Sequence, residues 1–187
     1  MPKHTIFILD DEQNILNSLS RLLRDESRQI ETASGVQEAL NKLKTIDGVD
    51  LIISDNRLPD GTGVDFLLKA KQLYPDSIRI LITGYPDLDA AIQAINKGQV
   101  YRFITKPWEN EELKLIVKQS LDFFDVLRDN KALLKIAKQQ SEWMEAMQKR
   151  YPQVPKEDLI KGGVYIIDEK KVSETLEDFM KKYYPQS

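Results

Sequence analysis

The feature that most restricts how this chain can fold is a repeated alternation. Five short apolar or β-rich runs, Thr5–Leu9, Arg28–Ala33, Asp50–Ser54, Ile78–Ile82 and Tyr101–Thr105, are each followed by a stretch whose apolar residues recur with helical spacing. Ile15, Leu16, Leu19, Leu22 and Leu23 follow the first run, behind acidic and capping residues at 11–14. Val36, Ala39, Leu40 and Leu43 follow the second, from the cap Ser34 through Lys44. Val64, Phe66, Leu67, Leu68, Ala70 and Leu73 follow the third and end at Tyr74-Pro75. Leu88, Ala91, Ile92 and Ile95 follow the fourth, capped by Asp87 and stopped by Gly98. A fifth helix begins after Pro107, where Glu109, Glu111 and Glu112 suit the positive end of the helix dipole. Five successive strand–helix units predict an α/β fold with a doubly wound, five-stranded parallel sheet. The second strand is the most polar and is expected near an edge.

In such a sheet the C-terminal tips of all strands lie along one edge, which is where open α/β sheets place their sites. Asp10-Asp11 closes the first run, Asp55 the third, Thr83-Gly84 the fourth and Lys106-Pro107 the fifth. The predicted edge therefore gathers three carboxylates, a hydroxyl and an ammonium. Carboxylates packed together repel unless a cation balances them. Mg²⁺, a hard ion with a preference for oxygen ligands and retained water, suits such an edge. With Lys106 it brings the site near neutrality, ready for a phosphoryl group, for which Gly84 leaves space beside Thr83. The reaction this arrangement favours is in-line transfer to a carboxylate oxygen, giving an aspartyl phosphate.

Other function classes are narrowed by composition. A net charge of −3 gives no global electrostatic case for binding nucleic acid or membrane. The absence of cysteine excludes disulfides and thiol catalysis and fits a cytoplasmic setting. No apolar run approaches the roughly 20 residues needed to span a bilayer. His4, the only histidine, precedes the first strand and is expected to be solvated.

The segments 9–12, 54–61, 83–84 and 103–108, taken in order and spacing, resemble the receiver domain of two-component response regulators over residues 5 to about 124. The resemblance implies a flavodoxin-like receiver. It implies Asp55 as the phosphoacceptor, supplied by a sensor histidine kinase or a phosphotransfer protein. Asp10, Asp11, Asp55 and the main-chain carbonyl of Arg57 would bind Mg²⁺. Lys106 would pair with Asp55 or the phosphoryl group, Thr83 would move onto the new oxygens, and Phe103 would turn inward behind it. Phe103 stands where tyrosine is more familiar and Trp108 where phenylalanine is common; both fit ordinary core packing as readily as a switch role. A haloacid-dehalogenase type of phosphatase also uses an aspartyl phosphate, but it needs a second Asp two residues after its nucleophile, and here Asp10 is followed by Asp11 and Glu12.

Beyond the receiver no Pro or Gly interrupts residues 111–150. A helix of about 40 residues would run roughly 60 Å. Leu127, Leu134, Ala137 and Met144 recur at alternating steps of three and four, with Asn130, Ser141 and Gln148 at the remaining seam positions. This imperfect heptad predicts a two-stranded, parallel coiled coil and hence a homodimer through residues 120–150. The expected organisation is a receiver at 1–124, an extended helix at 125–150 and a small tail at 151–187 with a short strand and a helix. No nucleic-acid-binding or enzymatic output sequence is recognised after the receiver. The expected output is therefore contact with another protein, with the receiver's own phosphoryl chemistry as the only catalysis. The alternative is a receiver cut from a larger regulator with a transcriptional or cyclic-dinucleotide effector domain.

Overall fold

The computed structural model describes residues 4–84 and 100–150, with positions 92 and 152. The expected fourth helix at 87–98 and the tail at 151–187 lie outside the described residues apart from those two positions. The chain divides into two compact units, Met1–Asp125 and Val126–Ser187.

The first unit contains β1 (His4–Leu9), α1 (Gln13–Leu23), β2 (Arg28–Ala33), α2 (Val36–Leu43), β3 (Leu51–Asp55), β4 (Arg57–Leu58), β5 (Gly61–Thr62), α3 (Gly63–Leu73), β6 (Ile78–Thr83) and β7 (Arg102–Thr105). Five strands form one sheet in the order β2-β1-β3-β6-β7, and every neighbouring pair is parallel. The polar β2 is an edge strand, as its composition predicts. The order reverses direction beside β1, so the crevice between the tips of β1 and β3 is the topological switch point. The tiny antiparallel pair β4–β5, not anticipated beyond a turn, joins Arg57 to Thr62 and Leu58 to Gly61.

Strand alternation sends successive side chains to opposite faces. Phe7, Leu9, Ile52 and Leu81 pack on one face with Val36, Ala39 and Leu43 of α2 and Phe66, Leu67 and Ala70 of α3. Their neighbours Ile6, Ile8, Ile53 and Ile80 are equally buried on the other face, together with Leu16, Leu19 and Leu23 of α1. Burying each such side chain contributes roughly 1.5–3 kcal/mol, enough to fix the register of strands that are apolar on both sides.

His4 is not solvated. It opens β1 and is only 7% exposed, with Nδ1 3.5 Å from Asp50 Oδ2 and Nε2 3.6 Å from Asp125 Oδ2. The Phe124 ring meets it edge-on, centroids 6.4 Å apart. The physical reason is position: the start of a central strand lies beneath neighbouring elements even when it is close to the chain terminus.

A single unbroken helix, Asn110–Arg150, follows β7. Glu111 and Glu112 lie in its first turn and Lys149 and Arg150 in its last, each complementing the dipole. Within the first unit it buries Leu113, Ile116, Val117, Leu121, Phe123 and Phe124. Ser120 is buried because its hydroxyl donates back to Ile116 O at 2.8 Å. Within the second unit Ala137 and Met144 are buried, and Leu127, Asn130 and Leu134 are half-buried. The amide of Asn130 donates to Val126 O of its own helix at 2.8 Å. Among the described residues no helix is long and apolar enough to cross a membrane.

Candidate functional site

Three strand tips converge at the switch point. Asp10 follows β1 and is 1% exposed; its Oδ1 accepts from the Glu12 amide at 2.9 Å. Asp55 is the last residue of β3, buried, and its Oδ2 accepts from the Arg57 amide at 2.6 Å. Lys106 follows β7, where its amide donates to Thr83 O at 2.8 Å and so ties the tips of β6 and β7 together. Its side chain reaches back over the sheet edge. Nζ lies 2.6 Å from Asp55 Oδ1, 3.0 Å from Asp10 Oδ2 and 3.9 Å from Glu12 Oε1. The Lys106–Pro107 peptide is cis.

The charges of this cluster are strained in a consistent direction. Burial pushes the Asp10 carboxyl above its ordinary value, against the Glu12 amide and the Lys106 ammonium that pull it down. Burial also works against the charge on Lys106, but the hydrogen bonds to Asp55 and Asp10 outweigh it and hold its pKa above the ordinary value. One ammonium therefore does not fully balance the buried acids. Asp11 is exposed, and among the described residues no three metal-ligating side chains are gathered into one cluster. What the edge does present is carboxylate oxygen short of positive charge, with a third carboxylate next in sequence, and that donor set fits a hard divalent cation.

The backbone around Asp55 is clamped. Ser54 Oγ donates to Asp55 O at 2.8 Å, the Asn56 amide to Ile82 O at 3.0 Å, and the Gly63 amide to Asn56 O at 2.9 Å. Gly63 opens α3 so close to this segment that a Cβ there would collide with the Asp55 carbonyl. From the same loop Asp60 caps α2, accepting from the amides of Val36 at 2.8 Å and Gln37 at 2.9 Å. Those two amides hold its carboxyl below the ordinary value. Sequence reasoning missed both roles. Asp60 caps a helix that begins 24 positions earlier, beyond the reach of any local capping pattern. The Gly in Gly61-Thr62-Gly63 looks like ordinary turn composition.

Thr83 ends β6 and is 1% exposed; its hydroxyl donates to the Gly84 carbonyl at 3.2 Å. Phe103, on β7 opposite Leu81, is half-buried against the core. It also borders a surface pocket lined by Pro107, Trp108, Glu112 and Ile116. The structure thus brings Asp10, Asp55 and Lys106 into direct contact, with Thr83 and Gly84 at the adjoining tip. Asp11 and the exposed Arg57 flank the cluster.

A five-stranded parallel sheet with a clamped aspartate at its switch point, bridged by a lysine from the last strand, defines a class. The chain belongs to the response regulator receiver domain family, whose model matches residues 6–118. It carries the receiver of a two-component response regulator. It is similar to the hydrogenase transcriptional regulatory protein HoxA of Bradyrhizobium diazoefficiens, 32% identical over 67% of this chain and 25% of that protein. It is also similar to the response regulator protein TodT of Pseudomonas putida strain F1, 32% identical over 81% of this chain and 64% of that one. Among solved structures, an uncharacterised protein from Neptuniibacter caesariensis is 40% identical with a TM-score of 0.65, over 69% of this chain and 95% of that one. The chain spans about a quarter of the length of the HoxA relatives it matches.

Proposed function

We propose that Asp55 accepts a phosphoryl group from the phosphohistidine of a sensor kinase or phosphotransfer protein, and that the regulator answers by changing a contact with another protein. A carboxylate oxygen of Asp55 attacks phosphorus in line; the P–O bond forms, the P–N bond breaks, and the histidine nitrogen keeps the electron pair and takes a proton. The observation that carries this reading is the Lys106 ammonium 2.6 Å from Asp55 and 3.0 Å from Asp10. It holds one oxygen of the nucleophile while the Arg57 amide holds the other, so the carboxylate is oriented before any phosphoryl group arrives.

Asp10, Asp11, Asp55 and the main-chain carbonyl of Arg57 would hold Mg²⁺, which when bound supplies charge balance for the acids and the incoming oxygens. Thr83 and Gly84 line the place where the new oxygens emerge. Thr83 would shift onto them, and Phe103 would follow it inward from its half-buried position. The receiver is assigned to residues 1–124, the helix extension to 125–150 and the tail to 151–187, in a cytoplasmic protein that needs neither nucleic acid nor membrane.

A second reading is favoured by the short share of HoxA that the chain covers: a receiver that works within a larger regulator. The mass of the native protein separates the two. The chemistry is tested by labelling with acetyl phosphate. Asp55 should be labelled only with Mg²⁺ present, and Asp55→Asn should show no label. A label persisting on the same peptide of Asp55→Asn would remove Asp55 from the nucleophile's role.

A further inference from the structure

The chain leaving Asp55 is fastened at a point remote from the Lys106 cluster. Arg57 and Leu58 pair with Gly61 and Thr62 as a small antiparallel hairpin, with Pro59-Asp60 as its tip. A two-stranded hairpin has little stability of its own. Its base is fixed: the Gly63 amide donates to Asn56 O at 2.9 Å, and Thr62 Oγ1 caps α3 by accepting from the Asp65 amide at 3.1 Å. Leu58 packs against the core from one arm. At the tip Asp60 is exposed, yet both its oxygens are engaged, Oδ1 by the Val36 amide at 2.8 Å and Oδ2 by the Gln37 amide at 2.9 Å.

The helix that receives Asp60 is shaped for it. The N-cap position of α2 is Gly35, which has no side chain to offer its own helix. A Cβ there would stand 3.1 Å from Asp60 Oδ2, so the glycine leaves the space that Asp60 fills. Helices ordinarily take this cap from the N-cap residue itself. Here the same two hydrogen bonds that cap α2 also fasten the hairpin to it. α2 is a firm anchor. Val36, Ala39 and Leu43 are buried, and Lys42 Nζ donates to Thr32 O of β2 at 2.7 Å. Beyond its far end the Tyr74 hydroxyl lies 2.7 Å from Leu43 O and 2.6 Å from Ile46 O.

What the tip steadies is the arm that carries Arg57. The Arg57 amide donates to Asp55 Oδ2 at 2.6 Å, and its main-chain carbonyl is proposed above as a Mg²⁺ ligand. Both groups act only if their positions are kept, because small misplacements near a reacting centre are expensive in rate. We infer that Asp60 is a positioning residue for phosphoryl uptake: it pins the hairpin tip to α2 and so sets where the Arg57 amide and carbonyl stand beside Asp55. Its effect on uptake rests on the reading of Asp55 as phosphoacceptor; its effect on the Arg57 amide does not.

The experiment separates a tether from a helix cap. Asp60→Ala removes both. Adding Gly35→Asp returns a carboxylate to the N-cap position of α2, where φ is −158° and ψ 160° and any residue fits. That restores cap and charge without the link to the hairpin. Hydrogen exchange is read by NMR at the Arg57 amide of the full chain, unphosphorylated and free of Mg²⁺. Labelling by acetyl phosphate is read as Mg²⁺ is titrated. In Asp60→Ala the Arg57 amide should exchange about tenfold faster, and half-maximal labelling should need about fivefold more Mg²⁺, a larger change than any fall in maximal rate. Asp60→Ala with Gly35→Asp should recover the wild-type urea midpoint and keep both changes. Recovery of Arg57 protection and of the Mg²⁺ requirement together with the midpoint overturns the tether and leaves Asp60 a helix cap. Unchanged exchange in Asp60→Ala overturns it as well. Faster exchange in Asp60→Ala, with no label on the wild type at any Mg²⁺ concentration, overturns the phosphoacceptor reading and leaves the tether standing.

Discussion

The two edges of the sheet hold similar chemical groups and use them differently. At the C-terminal edge Asp10 and Asp55 meet Lys106; at the opposite edge Asp50 and Asp125 meet His4. The first trio is tied by contacts of 2.6 and 3.0 Å. In the second, both nitrogens stand 3.5 Å or more from carboxylate oxygen, and Nδ1 has no hydrogen-bond partner. Asp50 spends its Oδ2 on the Thr5 amide instead, at 2.9 Å. Lysine keeps its charge through the neutral range, whereas an imidazole carries one only when protonated. The lesson is that a pair of acids and a base at a strand end does not by itself make a chemical site. What distinguishes the C-terminal edge is a permanent cation within bonding distance of both acids.

Removing that cation should have the largest effect. Lys106→Met leaves Asp10 buried without its ion partner and should cost about 3 kcal/mol at neutral pH, read by urea unfolding. The loss should shrink in acid. Asp10's carboxyl is already raised above its ordinary 3.8. A group with a raised folded-state pKa takes up its proton more readily folded than unfolded. The penalty of its charge is therefore felt above the folded pKa and relieved as pH falls through it toward 3.8. A loss that stays constant between pH 7 and pH 4 would refute the charge argument. Gly63→Ala attacks the same edge through its backbone. The added methyl has no room beside the Asp55 carbonyl, so the acceptor loop must shift, at a cost of about 2 kcal/mol with slower phosphoryl uptake. At the other edge His4→Leu should change stability by under about 1 kcal/mol, since it keeps the packing against Phe124 and gives up no short hydrogen bond. Phosphoryl uptake should be unaltered. A large loss there would mean that the two edges are more alike than their distances say.

How far the sequence could be read varies with the range of the interaction. The strands were legible because apolar runs such as Leu51-Ile52-Ile53 can only be buried, and the meeting of Asp10, Asp55 and Lys106 follows from parallel order alone. The burial of His4 was not legible, because it depends on Asp50 and on Phe124 and Asp125, residues far along the chain. Nor was the capping of α2 by Asp60, which crosses from one loop to another. The long helix was legible in extent, since nothing in 111–150 breaks it. Its spacing also picked out Ala137 and Met144, which are buried while Ile136 one position away stays 45% exposed, but spacing alone does not say what covers them.

The bond that Thr83 makes has a consequence for how quietly this regulator can wait. At 3.2 Å, its hydroxyl hydrogen bond to Gly84 is longer than a well-formed O–H···O contact, while the backbone of Asp55 and Asn56 is held by three bonds of 3.0 Å or less. The Asp55 segment is held by the shorter bonds and the Thr83 hydroxyl beside it by the longer one. If Thr83 moves as proposed, the longer bond is the easier one to release, so the resting protein should visit its signalling shape without any phosphoryl group. On the role proposed for Thr83, basal leak rather than strict silence is the resting behaviour to expect. On that same role, shortening that one hydrogen bond would lower the background.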